Sequence, residues 1–105
     1  MAAEKIALVT GAGTGIGRAS ALALMKAGFT VVLTGRRKDK LEETAAAGKV
    51  ANGKALVVPA DMASAESVAA LFKTVADTYG RLDVLFNNAG MTVKRASIED
   101  VDIEE

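Results

Sequence analysis

Thr10-Gly-Ala-Gly-Thr-Gly-Ile-Gly17 is the stretch on which the reading of this 105-residue chain turns. It follows a short apolar run, Ile6-Ala-Leu-Val9, and precedes a helical pattern from about Ile16 to Ala27, in which Ile16, Ala19, Ala23 and Ala27 recur every three or four residues. A glycine cluster between a strand and a helix places backbone N–H groups and the positive end of a helix dipole where a phosphate can sit, and it lets the ligand approach the main chain. The G-x-G-x-x-G fingerprint fails in every frame, because its third glycine would fall on Ile16, Arg18 or Ser20. A Walker A loop fails for want of Gly-Lys-Ser/Thr. From these residues alone a tight turn with no ligand stays open as the alternative.

Outward from the turn, short β-rich runs alternate with helical ones. Thr30-Val-Val-Leu-Thr34, Ala55-Leu-Val-Val58 and Leu82-Asp-Val-Leu-Phe86 read as strands, with hydrophobicity continuous enough for burial on both faces. Between them lie a helix from about Asp39 to Ala47 with Gly48 as its stop, and another from a Ser64 N-cap through Val68, Leu71, Phe72 and Val75 to Tyr79, ended by Gly80. This alternation is the mark of an α/β fold with a parallel sheet. Pro59, the only proline, ends the third strand, where it interrupts no ladder. The last nine residues, Ser97 to Glu105, read as the approach to another helix, and so apolar a fourth strand suggests that further strands flank it.

Composition removes several chemistries. With no Cys and no His, the usual zinc sites, thiol nucleophiles and His-based triads are excluded. Thirteen basic and thirteen acidic residues cancel, so there is no nucleic-acid footprint and no basic membrane-binding surface. No stretch approaches the ~20 apolar residues that span a bilayer, and nothing marks the chain for export, which fits a cytoplasmic protein.

One pattern does match the turn completely: T-G-x-x-x-G-x-G, with Thr10, Gly11, Gly15 and Gly17 in register. Here the chain resembles the short-chain dehydrogenase/reductase family. Two more motifs of that family follow, an Asp after the third strand, matched by Asp61 in Pro59-Ala-Asp-Met62, and N-N-A-G after the fourth, matched by Asn87-Asn-Ala-Gly90. Either could be only a turn. Their occurrence at the ends of successive strands, where open parallel sheets bind ligands, favours the family. The resemblance implies a Rossmann-type doubly wound parallel sheet with helices on both faces, of which the first four strands are present. It implies that Gly11, Thr14, Gly15, Ile16, Gly17, Arg36, Asp61, Met62, Asn88, Ala89 and Gly90 meet a nicotinamide dinucleotide. In that reading Asp61 accepts from the adenine amino group, Met62 lies beside the ring, Asn88 to Gly90 line the ribose, and Asn87 braces the sheet.

The choice of dinucleotide turns on the end of the second strand. NAD-binding units carry an acid there, for the ribose 2′-hydroxyl. This chain has Gly35, followed by Arg36, Arg37, Lys38 and Lys40. Cations at a helix start oppose its dipole, so helix stability does not account for them. An Arg directly after this strand resembles NADP-preferring members, with NAD still possible. A solvated basic turn is the alternative, and the basic residue that many NADP-preferring relatives carry in the glycine loop is here Thr14.

The family transfers hydride between nicotinamide and an alcohol or carbonyl substrate, using a Ser, a Tyr, a Lys four residues after it, and an Asn. The one tyrosine is Tyr79, with Asp83 four residues on, so no catalytic residue of that set is matched in this chain. The expectation is that residues 1–105 are an incomplete NAD(P)-binding segment of a longer chain. The resemblance also implies a homo-oligomer, dimer or tetramer, for the full-length protein. A receiver domain lacks support because the glycine turn stands where its acidic pair belongs. A truncated, non-catalytic dinucleotide-binding module stays open.

Overall fold

The computed structural model describes residues 4–50 and 52–87, and the backbone of 92–94. Among these described residues five strands and three helices follow in order: β1 Ile6–Thr10, α1 Gly15–Lys26, β2 Thr30–Gly35, α2 Lys38–Val50, β3 Lys54–Pro59, α3 Ala65–Tyr79, β4 Val84–Asn87 and β5 Thr92–Lys94. The sheet order is β3-β2-β1-β4-β5. β1 pairs in parallel with β2 (Leu8 opposite Val32) and with β4 (Leu8 opposite Leu85), and β3 adds in parallel to β2. The antiparallel fifth strand, with Thr92 opposite Asn87, was not expected from sequence.

Side chains alternate across β1 and β2, and each parity meets different helices. Ala7, Val9, Val31 and Leu33 pack with Ala21 and Met25 of α1 and Leu41 of α2. Ile6, Leu8 and Val32 pack with Leu71 and Val75 of α3. Fully burying one such Leu or Val is worth about 1.5 to 3 kcal/mol, so two stripes of this kind hold three layers together. The direction of the chain reverses at β1: α1 and α2 lead outward to β3 on one face, and α3 returns across the other face to β4. The reversal opens a crevice at the carboxyl ends of β1 and β4.

Four local expectations are corrected. In α1 the buried residues are Gly17, Ala21 and Met25, whereas Ile16, Ala19, Ala23 and Ala27 are exposed. The seam is set by Gly17: a Cβ there would lie 2.7 Å from the Gly11 carbonyl carbon and closer still to its oxygen. Helix α2 runs through Gly48 to Val50, because Gly48 makes room for Met25, whose Cε would be 2.7 Å from an added Cβ. The chain leaves α2 instead at Asn52, which takes the left-handed conformation with φ 65°. Among the described side chains, those of β1 and β2 are buried along the strand, whereas β3, paired to β2, and β4 are half exposed. Finally, β4 starts at Val84 because the Asp83 carboxylate takes the Ile6 N–H at 2.8 Å. The α3 reading holds in detail: Val68, Leu71 and Val75 are buried, Ser64 caps the start and Gly80 the end. The helix expected from Ser97 onward lies outside the described residues.

Candidate functional site

The crevice is a cleft of about 310 Å³ lined by Thr10 and Gly11 after β1, Gly35 and Arg36 after β2, Ala60 to Ala63 after β3, and Asn87 at the end of β4. Four residues singled out from sequence, Gly11, Arg36, Asp61 and Met62, therefore meet on one surface. Asn87 joins them: its Oδ1 accepts from the Thr10 hydroxyl at 3.3 Å, tying the ends of β1 and β4 together. Asn88, Ala89 and Gly90 lie outside the described residues.

The glycine turn shapes the cleft's edge by backbone conformation. Gly11 and Gly15 have φ of 61° and 58°, a region in which side chains other than glycine are strained. Nothing lies within 4 Å of the place a Gly15 Cβ would take, so the main chain there faces open space. Thr14, the N-cap of α1, is extended and its side chain makes no capping hydrogen bond, and the first turn of α1 carries no acid. Among the described residues no side chain caps the start of α1, at the positive end of its dipole. Gly17 is buried beneath the turn, and Ile16 stands 59% exposed at its edge. Such a backbone fits a diphosphate, which needs donors, positive potential and close main-chain approach.

Charge divides the basic segment. Arg37 donates to Asp39 through Nε at 3.2 Å and Nη2 at 2.9 Å; that hydrogen-bonded contact holds the guanidinium above its ordinary value and the carboxyl below its own. Lys38 lies 4.0 Å from Glu42, and Lys40 lies 3.9 Å from Glu43. All three cations face acids of α2. Arg36 alone reaches across the cleft, where its Nε is 3.8 Å from Asp61 Oδ1. With side chains 76% and 50% exposed, that pair is worth at most about 1 kcal/mol and a ligand can displace it. Asp61 also closes a turn, accepting the Ala63 N–H at 2.9 Å, so its turn role is realised whether or not a ligand binds.

Tyr79 sits at the end of α3, packed against the Leu71, Val75 and Leu82 side of the core. Burial pushes its phenol up, and the Glu4 carboxylate adds to the shift, the opposite of what an acid/base tyrosine needs. A larger cleft, about 480 Å³, lies at the opposite end of the sheet between Glu4, Met25, Phe29, Thr30 and Lys54. It opens at the amino ends of the strands, away from the glycine turn, and its Glu4 is already engaged by the Thr30 hydroxyl and by Lys54 at 3.8 Å. Among the described residues no helix is long and apolar enough to cross a membrane.

Sequence reasoning missed Ala60 and Ala63 in the cleft wall, for small residues beside a strand carry no pattern. It also missed Thr44, whose buried hydroxyl donates to the Ala12 carbonyl of the turn at 2.9 Å. Its one signal was a threonine on the apolar side of α2, one turn after Leu41.

The profile of the family described as short chain dehydrogenase matches residues 5–105. A 3beta-hydroxysteroid dehydrogenase of Mediterraneibacter gnavus is 40% identical over 102 residues, which are 97% of this chain and 37% of that protein. Among solved structures, a metagenomic short-chain oxidoreductase in complex with NADP superposes with TM-score 0.76 at 38% identity, over 77% of this chain and 37% of the other. An actinorhodin polyketide ketoreductase variant with NADPH superposes with TM-score 0.78 at 37% identity, over 84% of this chain and 34% of the other. The chain spans about two fifths of the length of the curated relatives it matches.

Proposed function

This chain belongs to the short-chain dehydrogenase family, and on that premise we propose that it is the dinucleotide-binding segment, residues 1–105, of an oxidoreductase that prefers NADP(H). The observation that carries the preference is Arg36: it is the cation of the basic segment aimed at the cleft, beside a Gly35 that offers no acid to a ribose 2′-hydroxyl. The early N–H groups of α1 and the open backbone at Gly15 would take the diphosphate. Arg36 would meet the 2′-phosphate, and Asp61, released from it, would accept from the adenine amino group with Met62 alongside. Thr14, Ile16, Asn88, Ala89 and Gly90 complete the proposed binding residues, with Gly11 and Gly17 shaping the turn.

The nicotinamide, when bound, supplies a carbon that accepts or donates hydride. This chain's residues would bind and orient it. Neither Tyr79 nor Asp83 matches the Tyr and Lys of the family, so the proton chemistry on an alcohol or carbonyl substrate belongs to the rest of the native protein. In this reading that protein is a cytoplasmic homo-oligomer. Titration of the native protein with NADPH and with NADH, at one moderate salt concentration because exposed charges are screened, tests the reading. NADPH is expected to bind at least about tenfold more tightly, a difference of ~1.4 kcal/mol. Binding of neither dinucleotide overturns the function, and tighter NADH binding overturns the preference.

A further inference from the structure

The glycine turn is held from behind at one residue. Ala12, fully buried, donates its N–H to the Thr34 carbonyl of β2 at 3.1 Å and receives the Thr44 hydroxyl of α2 on its own carbonyl at 2.9 Å. Thr44 is itself fully buried. Its hydroxyl has one proton and two acceptors in reach, the nearer being Ala12 O; the other, Lys40 O at 3.2 Å, is the helical carbonyl one turn back. Next along the turn, Gly13 lies so close to α2 that an added Cβ would be 2.7 Å from Lys40 Cβ. The turn therefore rests on β2 and α2, the two elements whose junction carries Arg36.

We propose that Thr44 is a positioning residue for the dinucleotide: by fixing the Ala12 carbonyl it sets the orientation of the glycine turn that grips the diphosphate. In a trans peptide C=O and N–H point opposite ways. With the Ala12 carbonyl directed onto α2, the Gly13 N–H is directed away from it, and the φ values that follow at Gly15 carry the chain into α1. Without the hydroxyl the Ala12 carbonyl is left buried without that donor, and the peptide is free to rotate in search of another. Because Arg36 stands on the α2 side of this contact, the grip on the diphosphate weakens while discrimination at the 2′-phosphate is kept.

The inference rests on the proposed dinucleotide site, and the test separates the two. Wild type, Thr44→Val and Thr44→Ser forms of the native protein are titrated with NADPH, NADH and 2′-AMP, which has no diphosphate. Thr44→Val, the same shape without the donor, is expected to bind NADPH and NADH about five- to tenfold more weakly, with their ratio unchanged, and Thr44→Ser to restore both. Binding of 2′-AMP stays at the wild-type level, which general loosening of the fold would not allow. If Thr44→Val fails to fold, Thr44→Ala against Thr44→Ser supplies the same contrast. A valine form as tight as wild type, a serine form no better than valine, or an equal loss for 2′-AMP overturns the role of Thr44. Failure of the wild type to bind any dinucleotide instead overturns the site on which it rests.

Discussion

The chain starts two of its helices in opposite ways. At α3, Ser64 accepts the Ser67 N–H at 3.2 Å and Glu66 stands in the first turn, so donors and dipole are met from within the protein. At α1, Thr14 makes no capping bond, no acid stands in the first turn, and Gly11 and Gly15 take left-handed turns around the opening that other residues would strain to adopt. A helix start that forgoes its own cap gives up roughly 1 kcal/mol of local stability, and the α1 start does so beside the cleft at the carboxyl ends of the strands. Under the proposed function, the α3 start is structural and the α1 start is the one kept for a ligand.

The contrast breaks most readily at Gly17. A methyl group there would run into the Gly11 carbonyl, which is backbone and cannot swing aside, so Gly17→Ala is expected to destabilise the native protein by about 3 kcal/mol or more and to abolish dinucleotide binding. Urea unfolding measures it, and unchanged stability would mean that the turn is not packed as described. Thr14→Asp sharpens the contrast by giving α1 the cap it lacks. Stability should hold or rise by up to ~1 kcal/mol, while the new carboxylate repels the diphosphate and weakens NADPH and NADH together by about a hundredfold. A gain in stability with no loss of affinity would show that no anion sits there.

Arg36→Ala is expected to act on one ligand only. Losing a charge-assisted contact of roughly 1.5 to 3 kcal/mol weakens NADPH about 10- to 100-fold and leaves NADH near its wild-type affinity. Equal losses for both would reduce the basic segment to a solvated surface. The smallest effect belongs to the other helix: Ser64→Ala is expected to cost about 1 kcal/mol in unfolding and to leave both affinities unchanged. A cofactor effect from Ser64 would erase the distinction between the two starts.

How much of this was legible in the sequence follows the same division. The glycine turn could be read because its geometry admits few residue types: a positive φ at Gly11 and Gly15 and a carbonyl against Gly17 leave glycine as the fit. The Ser64 cap and the Val68, Leu71, Val75 stripe of α3 were equally plain, since one polar atom and one period decide them. Where several residues share a property the reading slipped. In α1 nearly every position is small or apolar, so Ile16, Ala19, Ala23 and Ala27 looked as fit for the core as Gly17, Ala21 and Met25, and only the close approach to Gly11 chose between them. Gly48 read as a helix stop because a packing glycine and a terminating one are the same letter. Of the four cations after Gly35, position already marked Arg36; what the sequence did not show is that Arg37, Lys38 and Lys40 face acids of α2 while Arg36 reaches Asp61. The Thr44 contact joins residues 32 positions apart, and its one local sign, a threonine on the apolar side of α2, does not name the partner.

A crystal structure of the native protein grown with NADP would show whether the uncapped start of α1 and Arg36 together hold one dinucleotide. The diphosphate is expected within about 3 Å of the first N–H groups of α1, the 2′-phosphate against the Arg36 guanidinium, and Asp61 turned from Arg36 toward the adenine. A dinucleotide bound with its diphosphate away from the Gly11 to Gly17 turn, or with its 2′-phosphate in solvent and Arg36 still paired to Asp61, would contradict it.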